Sequence, residues 1–432
     1  MTKLADIKEK WSDYIILKDH RALDVILATV IGNQLLDRDP IWTLLVTISS
    51  GGKSTLLAPC VDIENNHFVD DLTEKTLLSG YKVKGRNASL LTMIGSGMMV
   101  FSDFTSILSK NPNSRGEILS QLKLVYDRKV SKYTGTGGVK WEGKIGVLAG
   151  ATPDIYYHLE SGRSMGERFI YYWIDVPSDE EISKKQQTTN ISAKDMTDVM
   201  KDYYSSFYSG VSEWINENGV PELNMTIDQA ERVRQASMFC VSGKATVHTN
   251  FKSGKVDQIP MKASVGRDNK SFEALLLSLL VMYCYETDNK NAEVQDWMID
   301  LVNKCAYSSI NRERRMILEI LADSDNPLSP EQIGSSRGFG LEKLGVEIYL
   351  TPLYAVGLIK KAKIGGEYKW SMKEGPTRDF IKKVSQNVQQ IKFKEEEKEE
   401  KEEDDEEMDA EWEAMSDWDN KKKKNNDGTL NL

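Results

Sequence analysis

The amino-acid sequence predicts an α/β protein with a parallel sheet, followed by helical regions and an acidic C-terminal tail. Four short apolar runs have the composition of strands that are covered on both faces. In chain order they are Ile41–Ile48, Met98–Phe101, Lys144–Gly150 and Phe169–Ile174. Helical stretches separate these runs, as expected when helices connect parallel strands. The pattern is helical from Pro177 to about Ile310, and after Lys392 the chain is mainly Glu, Lys and Asp, which cannot form a core.

The composition is typical of a folded protein with more than one domain. The chain has 432 residues, of which 40% are hydrophobic, and this length exceeds one ordinary core. No run of about 18 uncharged apolar residues occurs, and the N-terminus lacks an apolar signal core. We therefore expect no membrane partner and a cytoplasmic location, which would be the host cytoplasm if the protein is viral.

Charge and cysteine content refine this expectation. The net charge of −10 equals the net charge of the segment 394–427 alone, so the rest of the chain is close to neutral and does not repel nucleic acid. Four widely spaced cysteines are expected to be buried thiols in a reducing compartment. They are Cys60, Cys240, Cys284 and Cys305.

The sequence predicts five segments. Near the C-terminal end, helices precede the run Ile359–Ser371, which has the pattern of a strand, a Gly-Gly turn and a second strand. Helices followed by a basic two-stranded wing are the winged-helix pattern. The five segments are an N-terminal helical segment (1–40), an α/β core (41–176), a helical lid (177–310), a winged-helix domain (311–375), and a linker with a disordered acidic tail (376–432).

The strongest local motif is a phosphate loop between the first predicted strand and a helix. It consists of Ser49, Ser50, Gly51, Gly52, Lys53, Ser54 and Thr55. Small residues let backbone N–H groups wrap phosphates, Lys53 neutralises the β- and γ-phosphates, and the Ser54 hydroxyl binds Mg²⁺. The motif therefore predicts ATP and Mg²⁺ as ligands. Its first glycine position is Thr47, so the loop entrance must differ from the common form. The alternative is a Ser/Gly turn that caps a helix containing a lysine.

Phosphoryl transfer also needs an acid at the end of a neighbouring strand. Asp103 follows the second apolar run and is the candidate for a metal or catalytic acid; in one alignment Ser102 takes the metal position. Only one acid is present there, and the alternative is an aspartate that caps the next turn. Thr152 ends the third run and is the candidate to orient a water toward the γ-phosphate; the alternative is an ordinary turn residue.

An arginine precedes the last core strand. Arg168 is the first candidate, and Arg163 the second, for a residue that reaches the nucleotide of a neighbouring subunit and stabilises transition-state charge. The alternative is a surface arginine paired with Glu167.

With these motifs in this order, the chain resembles the AAA+ module of minichromosome-maintenance-type helicases. It is still more similar to AAA+ helicase-like proteins of phages and mobile elements. The resemblance extends over about residues 19–373. The matching positions are Lys53 with Ser54, Asp103 with Phe104, the predicted hairpin 129–143, and Arg168 with Phe169. The sequence departs from the family in its single acid and in Thr152, which stands where the family has a sensor asparagine.

The resemblance implies an α/β P-loop AAA+ core with a helical lid, and it assigns Arg267 as the second sensor arginine. It implies an ATPase that acts as an ATP-dependent DNA motor or helicase in DNA replication, in a homo-oligomeric ring with ATP sites between subunits. The first alternative is an ATP-binding replication initiator or helicase loader with weak hydrolysis. The second is a DNA-binding regulator without enzymatic activity.

Two basic segments are candidate contacts for single-stranded or forked DNA. In the predicted hairpin, cations alternate with aromatic residues, which suits single-strand backbone contact and base stacking. The candidates are Lys129, Lys132, Lys140 and Trp141 in the hairpin, with Lys144 at its end, and Lys360 and Lys361 in the wing. The alternatives are a hairpin whose Trp141 packs on the core and a winged helix that docks proteins.

The acidic tail has three open interpretations. It contains Met408, Trp412, Met415 and Trp418 among dense acidic residues. It is either a solubilising disordered tail, a peptide that docks on a replication-protein partner, or a DNA mimic that occupies the protein's own basic channel.

Overall fold

A computed structural model gives the fold of the chain. It describes residues 2–73, 75–78, 82–83, 86–87, 89–134, 137–161, 165–189, 191–245, 247–248, 256–260, 262, 264–336 and 339–386. The chain divides into a compact body, Met1–Val384, and a C-terminal unit, Ser385–Leu432, to which the acidic tail belongs. The tail lies outside the described residues. None of the helices in the described ranges combines the length and the apolar composition that crossing a bilayer requires.

A five-stranded parallel sheet forms the centre of the body, and four of its strands are those that the sequence predicts. Its strands are β1 (Trp42–Val46), β2 (Asn66–Phe68), β5 (Gly97–Phe101), β8 (Ile145–Ala151) and β9 (Phe169–Trp173). A two-residue pair, β3 (Lys82–Val83) and β4 (Arg86–Asn87), lies apart from the sheet. The strand order is β2–β5–β8–β1–β9. Apart from β2, the sheet strands are almost wholly buried, which explains their continuous apolar composition.

Helices cover the sheet and connect its strands. They are α1 (Leu4–Tyr14), α2 (Arg21–Gln34), α3 (Lys53–Leu57), α4 (Leu90–Ile94), α5 (Phe104–Leu108), α6 (Pro112–Tyr126) and α7 (Asp154–Ser161). The predicted helix after the phosphate loop is short, because α3 gives way to a 3₁₀ turn, Ala58–Asp62, that contains Pro59. Proline lacks a backbone donor and crowds the preceding turn, so it ends regular α-helix there.

The predicted hairpin between α6 and β8 is confirmed. It consists of β6 (Lys129–Thr134) paired with β7 (Gly137–Glu142) in antiparallel register. Gly137 and Gly138 lie in β7 rather than at the bend, and the bend at 135–136 lies outside the described residues.

The region after β9 is helical, as predicted. It contains α8 (Asp179–Thr188), α9 (Ala193–Asn218), α10 (Ile227–Gly243), α11 (Val265–Thr287) and α12 (Asp296–Ser308). The sequence of 246–260 includes a turn at Gly254 and predicts a small hairpin insert, but most of this segment lies outside the described residues. All four cysteines are free and buried.

After α12 the described residues form α13 (Arg312–Asp323), α14 (Pro330–Gly334), α15 (Lys343–Ala355), β10 (Ile359–Ile364) and β11 (Glu367–Met372). A further helical stretch covers residues 376–386. Ser329 and Gln332 form a capping box at the start of α14. Gly365 and Gly366 both have positive φ, 63° and 89°, which a tight two-residue hairpin turn requires. The strand–Gly-Gly–strand prediction is confirmed.

Candidate functional site

The carboxyl ends of the parallel strands bring the candidate phosphate-site residues to one edge of the sheet. We call it the carboxyl edge. The phosphate loop follows β1, Asp103 follows β5, and Thr152 follows β8. Because β8 pairs with both β1 and β5, Thr152 ends the strand between the phosphate loop and Asp103. Crevices at this edge are where open α/β sheets bind ligands.

The phosphate loop keeps Thr47 in an extended backbone continuing β1. The Thr47 N–H donates to Ala151 O at 3.1 Å, as in a parallel pair. The left-handed residues are Ser50, with φ of 65°, and Gly52, with φ of 80°. The loop therefore turns without positive φ at Thr47, which is how this chain accommodates a β-branched residue at the first loop position.

Gly51 is tightly enclosed at the centre of the loop. A Cβ atom at Gly51 would lie 2.4 Å from Oγ1 and 2.7 Å from Cγ2 of Thr47, and 3.0 Å from Cγ2 of Val176. The absence of a side chain therefore lets the loop close over Thr47. This packing explains why the glycine stands at 51 when the entrance position is occupied by a threonine.

Lys53 is a buried cation at the carboxyl edge. It is 8% exposed, and its aliphatic stem lies across Gly150, where a Cβ would be 3.0 Å from Cδ of Lys53. Among the described residues, Lys53 has neither an ion pair nor a side-chain hydrogen bond. The stem is buried, but the ammonium is not among the fully buried side-chain atoms that lack a partner, so water or an anion can reach it. Because no carboxylate of the described residues occupies this cation, an anionic ligand at the carboxyl edge can pair with it.

Ser54 and Asp103 lie on facing sides of the site. The Ser54 hydroxyl donates to the backbone oxygen of Ser102 at 3.3 Å. Asp103 caps α5, because its Oδ1 accepts from the Thr105 N–H at 3.0 Å. Thr105 Oγ1 in turn accepts from the Thr152 N–H at 2.9 Å, which ties the ends of β5 and β8 together.

The capping alternative for Asp103 is thus realised in the structure. Within the described ranges no group of three His, Cys, Asp or Glu side chains could hold a metal by itself. Magnesium needs few protein ligands when phosphates and water supply the rest. Ser54 and Asp103 therefore fit a magnesium–phosphate complex but not a site made of protein groups alone.

A buried ionic network, which sequence reasoning missed, lies beside the loop. Lys304 of α12 contacts Asp19 and lies 3.8 Å from Asp175, which follows β9. Tyr172 donates its hydroxyl hydrogen to Asp19 at 2.6 Å. Burial alone would raise the pKa of Asp19, but the charges of Lys304 and Arg21 outweigh it and hold the pKa well below its usual range. The network anchors β9 next to the loop.

The two candidate arginines lie at the opposite edge of the sheet, the amino edge. Phe169 pairs with Trp42, the first residue of β1, so Arg168 lies far from the loop of its own chain. Arg168 is 7% exposed, 3.5 Å from Asp127 and over the ring of Tyr126. Burial and the neighbouring charge of Arg267 lower the pKa of Arg168.

Arg267 lies near Arg168, and the pairing partners differ from the sequence alternative. Arg267 Nη1 contacts Glu167 Oε2 at 3.0 Å, and Arg168 contacts Asp127. Arg168 is therefore a buried residue and not a surface arginine paired with Glu167. Arg163 lies outside the described residues.

The hairpin presents fewer DNA candidates than the sequence suggested. Lys129 and Lys140 are exposed, and the side chain of Lys132 lies outside the described part. Trp141 is 6% exposed, packs in the core, and donates its indole N–H to Gly95 O at 2.8 Å. It is not a stacking face for bases, and the core-packing alternative is correct. Lys144 donates to the oxygens of Gly32 and Leu36, so it caps α2 instead of facing solvent.

The C-terminal hairpin is basic, but the helix before it is not. Lys360 and Lys361 are exposed, and Lys361 lies 4.1 Å from the ring centre of Tyr368. In α15, the exposed side chains include Leu344 and Ile348, one turn apart. This helix therefore offers an apolar face, which agrees better with protein docking than with reading DNA bases.

A scan of this sequence against models of protein families found no match, and a search of curated proteins found no similar protein either.

Proposed function

We propose that the protein binds ATP with Mg²⁺ at the carboxyl edge and hydrolyses it, as a P-loop ATPase of the AAA+ type. The observation that carries the proposal is Lys53, buried at the end of the sheet without an acidic partner among the described residues. It stands directly after the left-handed Gly52, at the start of a helix that follows a parallel strand. Backbone amides and a lysine in that context bind phosphates.

Each loop residue has a chemical task in this proposal. Lys53 would neutralise the β- and γ-phosphates. Ser54, whose hydroxyl donates to Ser102 O, would be the hydroxyl ligand of Mg²⁺, and the ion would supply charge neutralisation on the phosphate oxygens. Asp103 orients the attacking water and accepts its proton, while Thr152 fixes the water from the neighbouring strand. Asp103 can do this with one carboxylate oxygen while the other caps α5.

The sheet order supports the AAA+ assignment. The strand with Thr152 lies between the loop strand and the strand with Asp103, as a sensor strand must to reach both. Arg168 and Arg267 are at the amino edge and cannot reach the loop of their own chain. Both could act only on the nucleotide of a neighbouring subunit, so we propose a homo-oligomeric ring with ATP sites between subunits.

DNA is the substrate of the proposed motor. Lys129 and Lys140 extend from the β6–β7 hairpin, and Lys360 and Lys361 from the C-terminal hairpin, which we assign to a winged helix. These lysines suit contact with the phosphate backbone of single-stranded or forked DNA. The apolar face of α15 and the Trp-containing acidic tail are assigned to a replication-protein partner. The free, buried cysteines fit a reducing cytoplasm.

One observation favours a second candidate, an ATP-binding initiator or helicase loader. At the end of β5 the acid position has one aspartate, Asp103, preceded by Ser102, and Asp103 is already engaged as a helix cap. A site of this kind holds ATP well and hydrolyses it slowly. A DNA-binding regulator without enzymatic activity is the remaining alternative, and it predicts no ATP binding.

The first experiment is ATP binding and hydrolysis by the purified protein, with and without single-stranded DNA, beside Lys53→Ala. We expect the variant to lose at least about a hundredfold in ATP affinity, because charge-assisted contacts to two phosphates disappear. DNA-stimulated turnover supports the motor, and tight binding with negligible turnover supports the loader. No binding by the wild-type protein overturns the phosphate-loop assignment.

A further inference from the structure

Thr47, at the entrance of the phosphate loop, has a buried hydroxyl without a hydrogen-bond partner. The residue is fully buried, and Oγ1 has no hydrogen-bond partner among the described residues. Thr43 lies four residues earlier on the same strand and is equally buried, but its hydroxyl bonds to Thr29 at 2.8 Å. Buried polar groups in folded proteins almost always have partners, so an exception needs a reason. In the part of the chain that the structure describes, the Thr47 hydroxyl has no such partner.

The unpartnered hydroxyl faces the interior of the phosphate loop. A Cβ atom on Gly51 would lie 2.4 Å from Oγ1, so the Thr47 hydroxyl lies directly beneath Gly51. Ser50 and Gly52, the two left-handed residues, flank that point. The hydroxyl is therefore enclosed by the segment whose backbone amides would surround a phosphate group.

We propose that Thr47 is a positioning residue of the nucleotide site. When a nucleoside di- or triphosphate fills the loop, the Thr47 hydroxyl gains the hydrogen bond that it otherwise lacks. This bond stabilises the phosphate-bound conformation of the loop. The proposal rests on the proposed ATP site and adds a residue to it. A threonine at the first loop position can therefore form this hydrogen bond, whereas a glycine has no hydroxyl with which to form it.

The competing explanation is that Thr47 only fills space under Gly51 and that its hydroxyl does not affect nucleotide binding. Valine has nearly the shape of threonine, so a side chain needed only to fill space under Gly51 is replaceable by valine. Serine keeps the hydroxyl and loses the methyl group. The two substitutions therefore separate the hydroxyl from the volume of the side chain.

The test is isothermal titration calorimetry with Mg²⁺·ADP and with Mg²⁺ and a non-hydrolysable ATP analogue. Thr47→Val is expected to bind about tenfold more weakly than the wild type, the effect of one lost hydrogen bond to a charged ligand or its cradle. Thr47→Ser is expected to bind within about twofold of the wild type. Urea unfolding without nucleotide is expected to show no loss of stability in Thr47→Val, because no hydrogen bond is removed.

Thr43→Val is the matched control. It breaks the bond to Thr29, so it is expected to lower the stability of the protein and to leave nucleotide affinity unchanged. Wild-type affinity in Thr47→Val, or weak binding in Thr47→Ser as well, overturns the role of the hydroxyl while the ATP site stands. If the wild type binds no nucleotide and Lys53→Ala matches it, the proposed function itself fails, and Thr47 with it.

Discussion

Lys53, the candidate cation at the carboxyl edge of the sheet, and the candidate arginines at the amino edge differ in their ionic partners. At the carboxyl edge, Lys53 has no acidic partner within the described residues. At the amino edge, Arg168 contacts Asp127 and Arg267 contacts Glu167. Lys53 can therefore pair with an external anion without losing a partner. Arg168 and Arg267 must each give up a carboxylate of their own chain before they bind another group.

Under the proposed function, this difference gives the two edges separate tasks. Binding of a phosphate needs only the loop and Lys53, so one subunit should suffice for it. Use of Arg168 and Arg267 needs a neighbour whose nucleotide competes with Asp127 and Glu167. Under the proposed function, a subunit by itself therefore binds ATP, and assembly adds hydrolysis.

Arg168→Ala, which tests the role of the amino edge, is the substitution with the largest expected effect. ATP turnover should fall by about 10³-fold, the contribution of a trans arginine to phosphoryl transfer, while ATP affinity stays within about twofold. Asp127→Asn is the control, since it breaks the same ion pair and keeps the arginine. Mixing Arg168→Ala with Lys53→Ala subunits should restore part of the turnover, because some interfaces then combine an intact loop with an intact arginine. No recovery on mixing contradicts the arrangement between subunits.

Asp19→Asn tests the scaffold beside the loop. Removing this carboxylate leaves Lys304 buried, with only Asp175 nearby at 3.8 Å. Breaking a buried ion pair by removing one partner costs about 3–5 kcal/mol, so urea unfolding should show a loss of that order. Asp71→Asn is the control, because its pair with Lys110 is on the surface and should not measurably change stability. A stable Asp19→Asn variant would show that the network does not hold β9 in place.

The elements that the sequence predicts well depend on local signals. The strand, the loop and Lys53 are contiguous, and the capping role of Asp103 depends on a residue two positions away. The contact of Lys304 with Asp19 joins residues 285 positions apart, and no local pattern indicates it. The strand β2 has the sequence Asn-His-Phe and is half-buried at the sheet edge, so it lacks the apolar run that marks the other strands.

The same distinction explains the hairpin. Alternation of basic and aromatic residues indicates a strand with two different faces, but it does not say which face meets the core. Val130 pairs with Trp141, and both are buried, so the face with Trp141 packs inward, while Lys129 and Lys140 lie on the exposed face. Only the packing of the hairpin against the Gly95 region settles this orientation.

Gly150→Ala should disturb the carboxyl edge alone. The new Cβ would lie 2.5 Å from Ser102 O and 3.0 Å from Cδ of Lys53, so the end of β5 or the lysine must move. We expect a loss of about 1–3 kcal/mol in unfolding free energy, together with weaker ATP binding. In Gly116→Ala, the control, the Cβ of a helical glycine meets no atom within 4 Å, and stability should rise by about 0.5–1 kcal/mol. Unchanged ATP affinity in Gly150→Ala would mean that the position of Lys53 is not critical.

Substitution of Lys144, at the amino end of β8, has the smallest expected effect on stability, and this effect depends on pH. Burial, and then the nearby charge of Arg128, lowers the pKa of this lysine to about 8, from an ordinary value of 10.5. Between these two values the unfolded chain binds more protons than the folded protein, so the unfolding free energy contributed by Lys144 rises with pH in that window. The slope cannot exceed about 1.4 kcal/mol per pH unit.

The comparison with Lys144→Met isolates this contribution, because buried cysteines and tyrosines titrate in both proteins and cancel in the difference. Urea unfolding at several pH values from 7 to 10.5 should show the wild type gaining stability relative to the variant as pH rises. A difference that is independent of pH would mean that the carbonyl oxygens of Gly32 and Leu36 keep the ammonium charged throughout. The carbonyl oxygens at the amino edge would then stabilise the charge of Lys144 as well as the carboxylates there stabilise the charges of Arg168 and Arg267. In that case Lys53 would differ from all three cations of the amino edge, because it lacks a partner within the described residues.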